Sequence, residues 1–437
     1  MTKPTKDRQL FTVARVFFLL IVIPLSLMAL LIANGIFKLG VTIKEKAVTV
    51  LDQKAQEEIK IRAVNVADEV ANFLREREKD VLVATILPAT ETAYRQFVQD
   101  NRKPIWVKED GKIRQVSSMM YMEMALIDRS GRELLKIVNG DVVPKSQLVN
   151  VSIPANTTYK TEEYFAAAKG MAKGEVYISP LTGWYVSRME FEKGKRFAGV
   201  IRLAAPVFDK QGFAGVVALA LDYRQLAGFT DHIIPTQSGY VFEADANTGN
   251  YAYMVDSRGF VISHPNDYHI AGLYPDGTPV PALSDKNAQE MTKKGEMVLN
   301  LRQLAFMDPQ LPAIDKDAAT GKSGIKMYRF GGHTKFVAYA PIQHYSKAMP
   351  APGGFGWIGM GLDVDKYNEA AIATSRNIEK EAKAWSATII VILVVSVVIL
   401  FLILLLLARG ITRSLEAEVP EGSEEVKFDE EEDEDDK

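Results

Sequence analysis

The sequence predicts an α+β protein: a long N-terminal stalk helix and two tandem antiparallel-sheet modules, all set between two transmembrane helices. Three observations carry this. Two uncharged apolar runs bracket the chain, at residues 16–37 and 385–408. A glycine-free stretch, residues 41–80, follows the first run and mixes apolar with charged positions. Further on, one strand–turn–strand pattern occurs twice.

Each apolar run reaches the roughly 20 residues that a helix needs to cross a bilayer. Lys3, Lys6, Arg8 and Arg15 precede the first run, and Arg409 and Arg413 follow the second. Basic residues close to a span stay cytoplasmic, so both termini are expected inside and the large middle segment outside. Lys38 and Lys44 on the outer flank oppose this weakly. The first run is too long for the apolar core of a signal peptide, and no small-residue cleavage site follows it, so it reads as an uncleaved anchor.

The chain has no cysteine, and its net charge is −3. An exported segment of this length can bury a core without disulfides. The charge balance gives no footprint for nucleic acid. Much of the negative charge falls in residues 421–436, an acidic run poor in apolar side chains that reads as a disordered tail.

After the first span, residues 41–86 read as helix. Ala47, Val50, Leu51, Ala55, Ile59, Ala63, Val66, Val70, Phe73 and Leu74 recur at three- and four-residue steps. Such a stripe needs a partner surface, and a stiff stalk or a dimer seam would supply one. From about Ser117 the pattern turns to strands. Residues 120–127 run into Asp128, Arg129, Ser130 and Gly131, and a second strand follows. Gly131 supplies the positive φ of a tight turn. Residues 197–206 and 215–222 read as strands around a turn at 207–212.

The second half repeats both pieces. Residues 251–263 parallel the first hairpin, with Asp256 and Gly259 in the places of Asp128 and Gly131. Residues 336–342 parallel 204–207, and 354–363 parallel 212–222. A duplication of about 130 residues is too long a period for a solenoid and suits two tandem domains. A long excursion rich in Pro, Gly, Asp and Lys, residues 267–322, has the character of a binding loop or lid, with a short helix near 285–293. Residues 366–383 are helical and run into the second span without a breaker.

These features resemble the double-Cache sensor modules of bacterial chemoreceptors and sensor kinases. The residues that carry the resemblance are Leu126 to Gly131, Tyr164-Phe165 with Tyr177 to Pro180, Ala205-Pro206-Val207 with Gly215-Val216-Val217, and Val255 to Gly259 followed by His264-Pro265. The resemblance implies two PAS-like modules and the following division: a cytoplasmic N-terminus (1–15), the first span (16–37), a stalk helix (38–90), a membrane-distal ligand-binding module (91–230), a membrane-proximal module (231–365), an exit helix (366–384), the second span (385–408), and a cytoplasmic segment (409–437). That last segment opens like a HAMP relay at Ile411 to Leu415, with Ser414 where a proline is usual, and continues as the acidic tail. The family's amino-acid-binding subset carries an Arg-x-Trp-Tyr signature where this chain has Tyr159 to Phe165. No arginine stands there for a substrate carboxylate, which counts against amino-acid sensing.

The resemblance places a ligand in the first module, between the sheet and the loops and helices covering one face. Side chains with a flat apolar body and polar tip, and cations with a carboxylate-matching fork, suit such a site. The candidates are Tyr121, Tyr159, Tyr164, Tyr177, Trp184, Tyr185, Arg188 and Arg202, with Asp209, and also Asp222, to hold an amine. Asp128 and Asp256 read as turn formers. His264, His269, His333 and His344 match no compact metal motif, so neither a metal nor another cofactor is expected. There is no nucleophile elbow, Gly-rich phosphate loop or paired-His zinc motif, so no enzyme is expected. The resulting expectation is a two-pass sensor of the bacterial inner (plasma) membrane. It would bind a small organic ligand, form a homodimer and signal through the second span, either to a separate cytoplasmic partner or, if the chain is a truncated receptor, to an output domain absent from it. The alternative is a membrane-anchored structural or adhesion protein that grips a protein or glycan surface.

Overall fold

The computed structural model describes residues 6–109, 112–237, 239 and 241–417. The expected acidic tail lies outside the described residues. Two compact units are present: Asp52–Ala370 is one, and the segments on either side of it form the other.

The flanking unit is helical. Helix α1 (Lys6–Ala84) contains the apolar segment Phe18–Leu39, and the last helix (Val364–Ala417) contains Arg376–Leu407. Both segments are long and apolar enough to cross a membrane. Phe18 meets Phe401 edge-on, with ring centroids 5.4 Å apart, and Ser386 Oγ donates to Ala382 O at 2.9 Å.

The body begins with the remainder of α1 and continues through α2 (Glu91–Asp100), β1 (Arg102–Glu109) and β2 (Lys112–Met119). The first module then adds β3 (Tyr121–Asp128), β4 (Glu133–Val138), β5 (Asp141–Val142), α3 (Tyr164–Lys169), β6 (Tyr177–Ile178), β7 (Thr182–Trp184), α4 (Arg188–Glu192), β8 (Ala198–Asp209), β9 (Gly212–Asp222) and α5 (Tyr223–Ala227). The second module comprises β10 (Tyr251–Asp256), β11 (Val261–Ser263), α6 (Ala288–Lys294), α7 (Gln310–Ala319), β12 (Gly324–Phe330), β13 (His333–Ile342) and β14 (Gly356–Asp363), and α8 (Val364–Ala417) follows.

The two sheets share a plan. The first runs β5-β4-β3-β9-β8-β6, with β7 also on β8; the second runs β11-β10-β14-β13-β12. Their central strands, β4-β3-β9-β8 and β11-β10-β14-β13, have the same order and are antiparallel throughout, as the repeated sequence pattern requires. The equivalent turns are built alike. Asp128 Oδ1 accepts from the backbone N–H of Ser130 and Arg132, and Asp256 Oδ1 from those of Arg258 and Phe260. Gly131 and Gly259 follow at φ +94° and +88°, where a side chain would be strained.

Strand alternation decides what each sheet face does. Leu203, Ala205, Leu219 and Leu221 of the first sheet, and Met254, Ala338, Ile358 and Met360 of the second, join one apolar cluster with Ala63, Val66, Val70, Leu74 and Val81 of α1. Polar contacts lock the helix to both modules. Tyr121 Oη donates to Asp80 Oδ2 at 2.5 Å, Arg75 Nη1 donates to Gln343 O at 3.2 Å, and His344 Nε2 lies 3.3 Å from Glu78. The dimer-seam expectation is therefore corrected for this part of the stripe. Positions 59–84 are consumed within the chain, because two sheet faces lie on them.

Other differences from the sequence reading are local. The segment 207–212 is mostly strand, and only Lys210 and Gln211 turn between β8 and β9. The β1–β2 hairpin was not foreseen. It pairs with no other strand, so its polar residues fall on both faces and the two-residue period is hidden. The excursion 267–322 holds α6 near the expected helix and also α7.

Leu74 is fully buried at the centre of the shared core. Leu74→Ala is expected to cost about 2–5 kcal/mol. Chemical denaturation followed separately by tryptophans of the two modules should show both midpoints falling together.

Candidate functional site

On β8 the residues facing away from α1 are Arg202 and Ala204, while Ile201 and Leu203 face the helix. Arg202 thus enters the space between the first sheet and its covering segment with its side chain 2% exposed. There it is fully engaged. Nε donates to Glu162 Oε1 at 2.6 Å, Nη2 to Glu162 Oε2 at 3.2 Å, and Nη1 to Glu123 Oε2 at 2.7 Å. Its guanidinium lies over the Tyr164 ring, 5.1 Å from the centroid. Thr158 Oγ1 donates to Glu123, and Lys136 Nζ stands 3.6 Å from Glu123 and 2.9 Å from Glu133. Backbone groups hold the frame: Arg202 N donates to Ser179 Oγ, Ser179 N to Arg202 O, and Tyr159 N to Glu162 Oε2.

The electrostatics follow from this packing. Burial opposes the charge on Glu123, but Arg202 and Lys136 outweigh it and bring the carboxyl down to about 2. Burial likewise opposes the charge on Arg202, and Glu123 and Glu162 keep it protonated. The cluster is a closed ionic cross-brace from β3 and β8 to the loop before α3. The guanidinium fork, expected from the sequence to take a ligand carboxylate, is spent on Glu162.

Beside the brace opens a cavity of about 330 Å³. Glu162, Glu163, Tyr164, Tyr177 and Arg202 line it from the first module, and Arg258 from the second. Burial pushes up both the Tyr164 and the Tyr177 phenol. Neither hydroxyl makes a hydrogen bond among the described residues, and the exposed Glu163 carboxylate pairs with no described cation. The cavity therefore offers two phenols and one carboxylate that internal contacts have not used.

Of the sequence candidates, Tyr164, Tyr177 and Arg202 meet here. Tyr159 packs on Trp184, ring centroids 5.2 Å apart. Trp184 and Tyr185 line a separate cleft of about 520 Å³, where Tyr185 Oη donates to Tyr268 O at 2.9 Å and accepts from Met297 N at 2.7 Å. Three candidates lie elsewhere. Tyr121 occupies the helix-facing side of β3, stacked on Phe97. Arg188 is exposed at the start of α4 and pairs with Glu192 at 2.9 Å. Asp209 caps the β8–β9 turn through Gln211 N and stands 3.5 Å from Arg129. Asp222, also weighed for an amine, pairs with Arg224 at 2.6 Å. Glu123 and Glu162 were missed. Glu123 carried a signal, being a lone acid in the apolar run of β3.

The corresponding space in the second module is filled. Tyr251, Tyr253, Tyr328 and His264 leave a cavity of only about 30 Å³. Lys335 Nζ donates to Tyr251 Oη at 3.2 Å, and burial lowers its amine to about 8. His264 and His269 sit edge-to-face at 4.7 Å, and burial keeps both neutral, with His269 lowered to about 4. Among the described residues, no three His, Asp or Glu side chains converge as a metal ion would require.

The Cache domain family model, dCache_1, matches residues 43–361. Among solved structures, the chain is similar to the ligand-binding domain of the Pseudomonas aeruginosa PAO1 amino acid chemoreceptor PctB in complex with L-Arg. That match has 15% identity, covers 72% of this chain and 98% of that chain, and has a TM-score of 0.38. It is also similar to the sensory domain of the Campylobacter jejuni chemoreceptor Tlp3 (10% identity, 75% and 99% covered, TM-score 0.40). A third is the ligand-binding domain of the Pseudomonas fluorescens chemoreceptor CtaA in complex with L-leucine (14% identity, 74% and 98% covered, TM-score 0.37). No curated protein matches the chain.

Removing one member of the brace strands the others. Arg202→Met is expected to cost about 3–5 kcal/mol. The folded Glu123 carboxyl titrates below its ordinary value of 4.5, so its ionisation favours folding above that pH, and the contribution is lost as pH falls toward about 2. Denaturant midpoints taken from pH 6 to 2 should show this acid limb, and Glu123→Gln should flatten it.

Proposed function

Because the chain belongs to the Cache domain family, we propose that it is a membrane-anchored sensor whose first module binds a small organic molecule outside the cytoplasm. The observation that carries this reading is the cavity beside Arg202. Its volume of about 330 Å³ suits a small metabolite. The brace of Arg202, Glu123 and Glu162 fixes its back wall, and Tyr164, Tyr177 and Glu163 present free polar atoms. In this reading Arg202 positions the site, and the two phenols with Glu163 contact the ligand. The second module, with a cavity of about 30 Å³, has no room for an organic ligand in the equivalent place.

Membership of the Cache family supports a binding role for this site. The two apolar helical segments anchor the chain twice in the inner membrane of a bacterium, with the body outside. A ligand that prefers one arrangement of the covering segment shifts the population toward it by its differential affinity. Helix α8 begins directly after β14, so a change in the second sheet would pass into the second span and on to a cytoplasmic partner.

The test is a thermal-shift screen of the full chain in nanodiscs against organic acids, amines, amino acids and purines. A true ligand raises the melting temperature progressively with concentration, by about 2.7 kcal/mol of stabilisation at a hundredfold excess over Kd. Tyr164→Phe should keep the fold and weaken that ligand by about tenfold, the worth of one hydrogen bond. A screen with no hit, together with a tight macromolecular partner, would instead support the adhesion reading.

A further inference from the structure

A recess larger than the one beside Arg202 is also present in the body. A cleft of about 740 Å³ lies at its waist. The β1–β2 hairpin forms one wall, α5 and the segment after it form the base, and Pro265 and Asp267 of the second module close the far side. The hairpin is rooted by Lys103, whose Nζ lies 4.7 Å from the ring centroids of both Phe73 and Phe229. Ile105 and Val107, on the same hairpin face as Lys103, line the cleft.

The polar groups at the base are out of balance. Gln225 is 2% exposed, and neither its Nε2 nor its Oε1 has a partner among the described residues. The Tyr223 hydroxyl, also buried, makes no well-formed hydrogen bond among the described residues, and Ser263 is the polar neighbour that interacts with it. Buried polar atoms are nearly always satisfied, so two such side chains lining one recess are unusual. The acids are equally short of partners. Asp231 accepts from Ser263 Oγ at 2.8 Å with Thr230 beside it, and Asp267 accepts from Phe197 N at 2.5 Å with Arg196 near enough to favour its charge, but no ion pair within 4 Å joins either to a described lysine or arginine. The cations at the base are already engaged: Arg196 with Glu243 at 3.1 Å and Arg224 with Asp222 at 2.6 Å. Lys108 is free but exposed. Burial pushes the Asp231 carboxyl up to about 8 and that of Asp267 up to about 6. A cation beside them would relieve both.

We propose that this waist cleft is a second ligand site, selective for an organic ammonium ion with an apolar body. The ammonium group sets against Asp231 and Asp267, the Gln225 amide and Tyr223 hydroxyl complete its polar shell, and the apolar part lies along Ile105 and Val107. A metal ion is a poorer occupant, because no three ligating side chains converge among the described residues. An anion is poorer still, because the acids at the base have no ion-pair partner within 4 Å among the described residues, whereas the cations Lys103 and Lys108 stand on the hairpin wall.

The proposal is independent of the Arg202 cavity, and matched probes test it. The full chain in nanodiscs is titrated calorimetrically with hexylammonium, hexanoate and 1-hexanol, which share one chain length and differ in charge. Hexylammonium should bind at least tenfold more tightly than either other probe. Asp231→Asn should weaken it at least tenfold. Val107→Trp, which fills the cleft from the hairpin and leaves the core untouched, should do the same if the Asn variant fails to fold. Tyr164→Phe should leave hexylammonium binding unchanged. The proposal is overturned if hexylammonium fails to bind, if the three probes bind alike, if binding survives both cleft variants, or if Tyr164→Phe abolishes it.

Discussion

Everything in the body depends on one apolar stripe of α1 being covered from two sides. Ala63, Val66, Val70, Leu74 and Val81 join strands of both sheets in one apolar cluster on the helix side, while each module keeps further apolar clusters of its own. A lone helix of this kind would not hold its conformation in water, and each sheet alone would expose an apolar face. Each solves the other's problem. The small residues at the contact, Ala63, Ala67 and Ala71, let the sheets approach closely. Asp80, Glu78 and Arg75 then fix the register with polar contacts to both modules.

With one face of each sheet committed to the helix, the opposite faces are free to differ between the modules. The two modules used that freedom differently. The first placed a charged brace there, with Arg202 held by Glu123 and Glu162, and left a cavity beside it. The second placed Tyr251, Tyr253, Tyr328 and Trp357 there and closed the space. A buried brace of this kind is a costly way to gain stability, since apolar side chains of similar volume would do as well. The brace ties the loop before α3 to β3 and β8 beside the cavity.

Sequence reading succeeded where the chemistry is local. Asp128 with Gly131 and Asp256 with Gly259 announce their turns within four residues, and the repeat of strands around them gave away the duplication. It failed where partners lie far apart. Arg202 and Glu123 each stand out as single charges in apolar strands, yet 79 positions separate them, and spacing cannot show that they meet. Tyr121 is like Tyr164 in type, but the irregular register at the start of β3 turns Tyr121 to the helix side, whereas Tyr164 lines the cavity from α3. The β1–β2 hairpin stayed hidden because a free-standing ribbon carries polar residues on both faces. Helix α7 and strand β12 lie in or beside a stretch whose prolines and glycines read as loop.

The tyrosine-packed second sheet has a mechanical corollary. Interiors filled to crystal-like density barely compress, so a push at one edge emerges at the other nearly undiminished. A module with a cavity has space into which its walls can move; a filled one does not. The second sheet is thus the more closely filled of the two, and its strand β14 is the one that α8 follows in the chain.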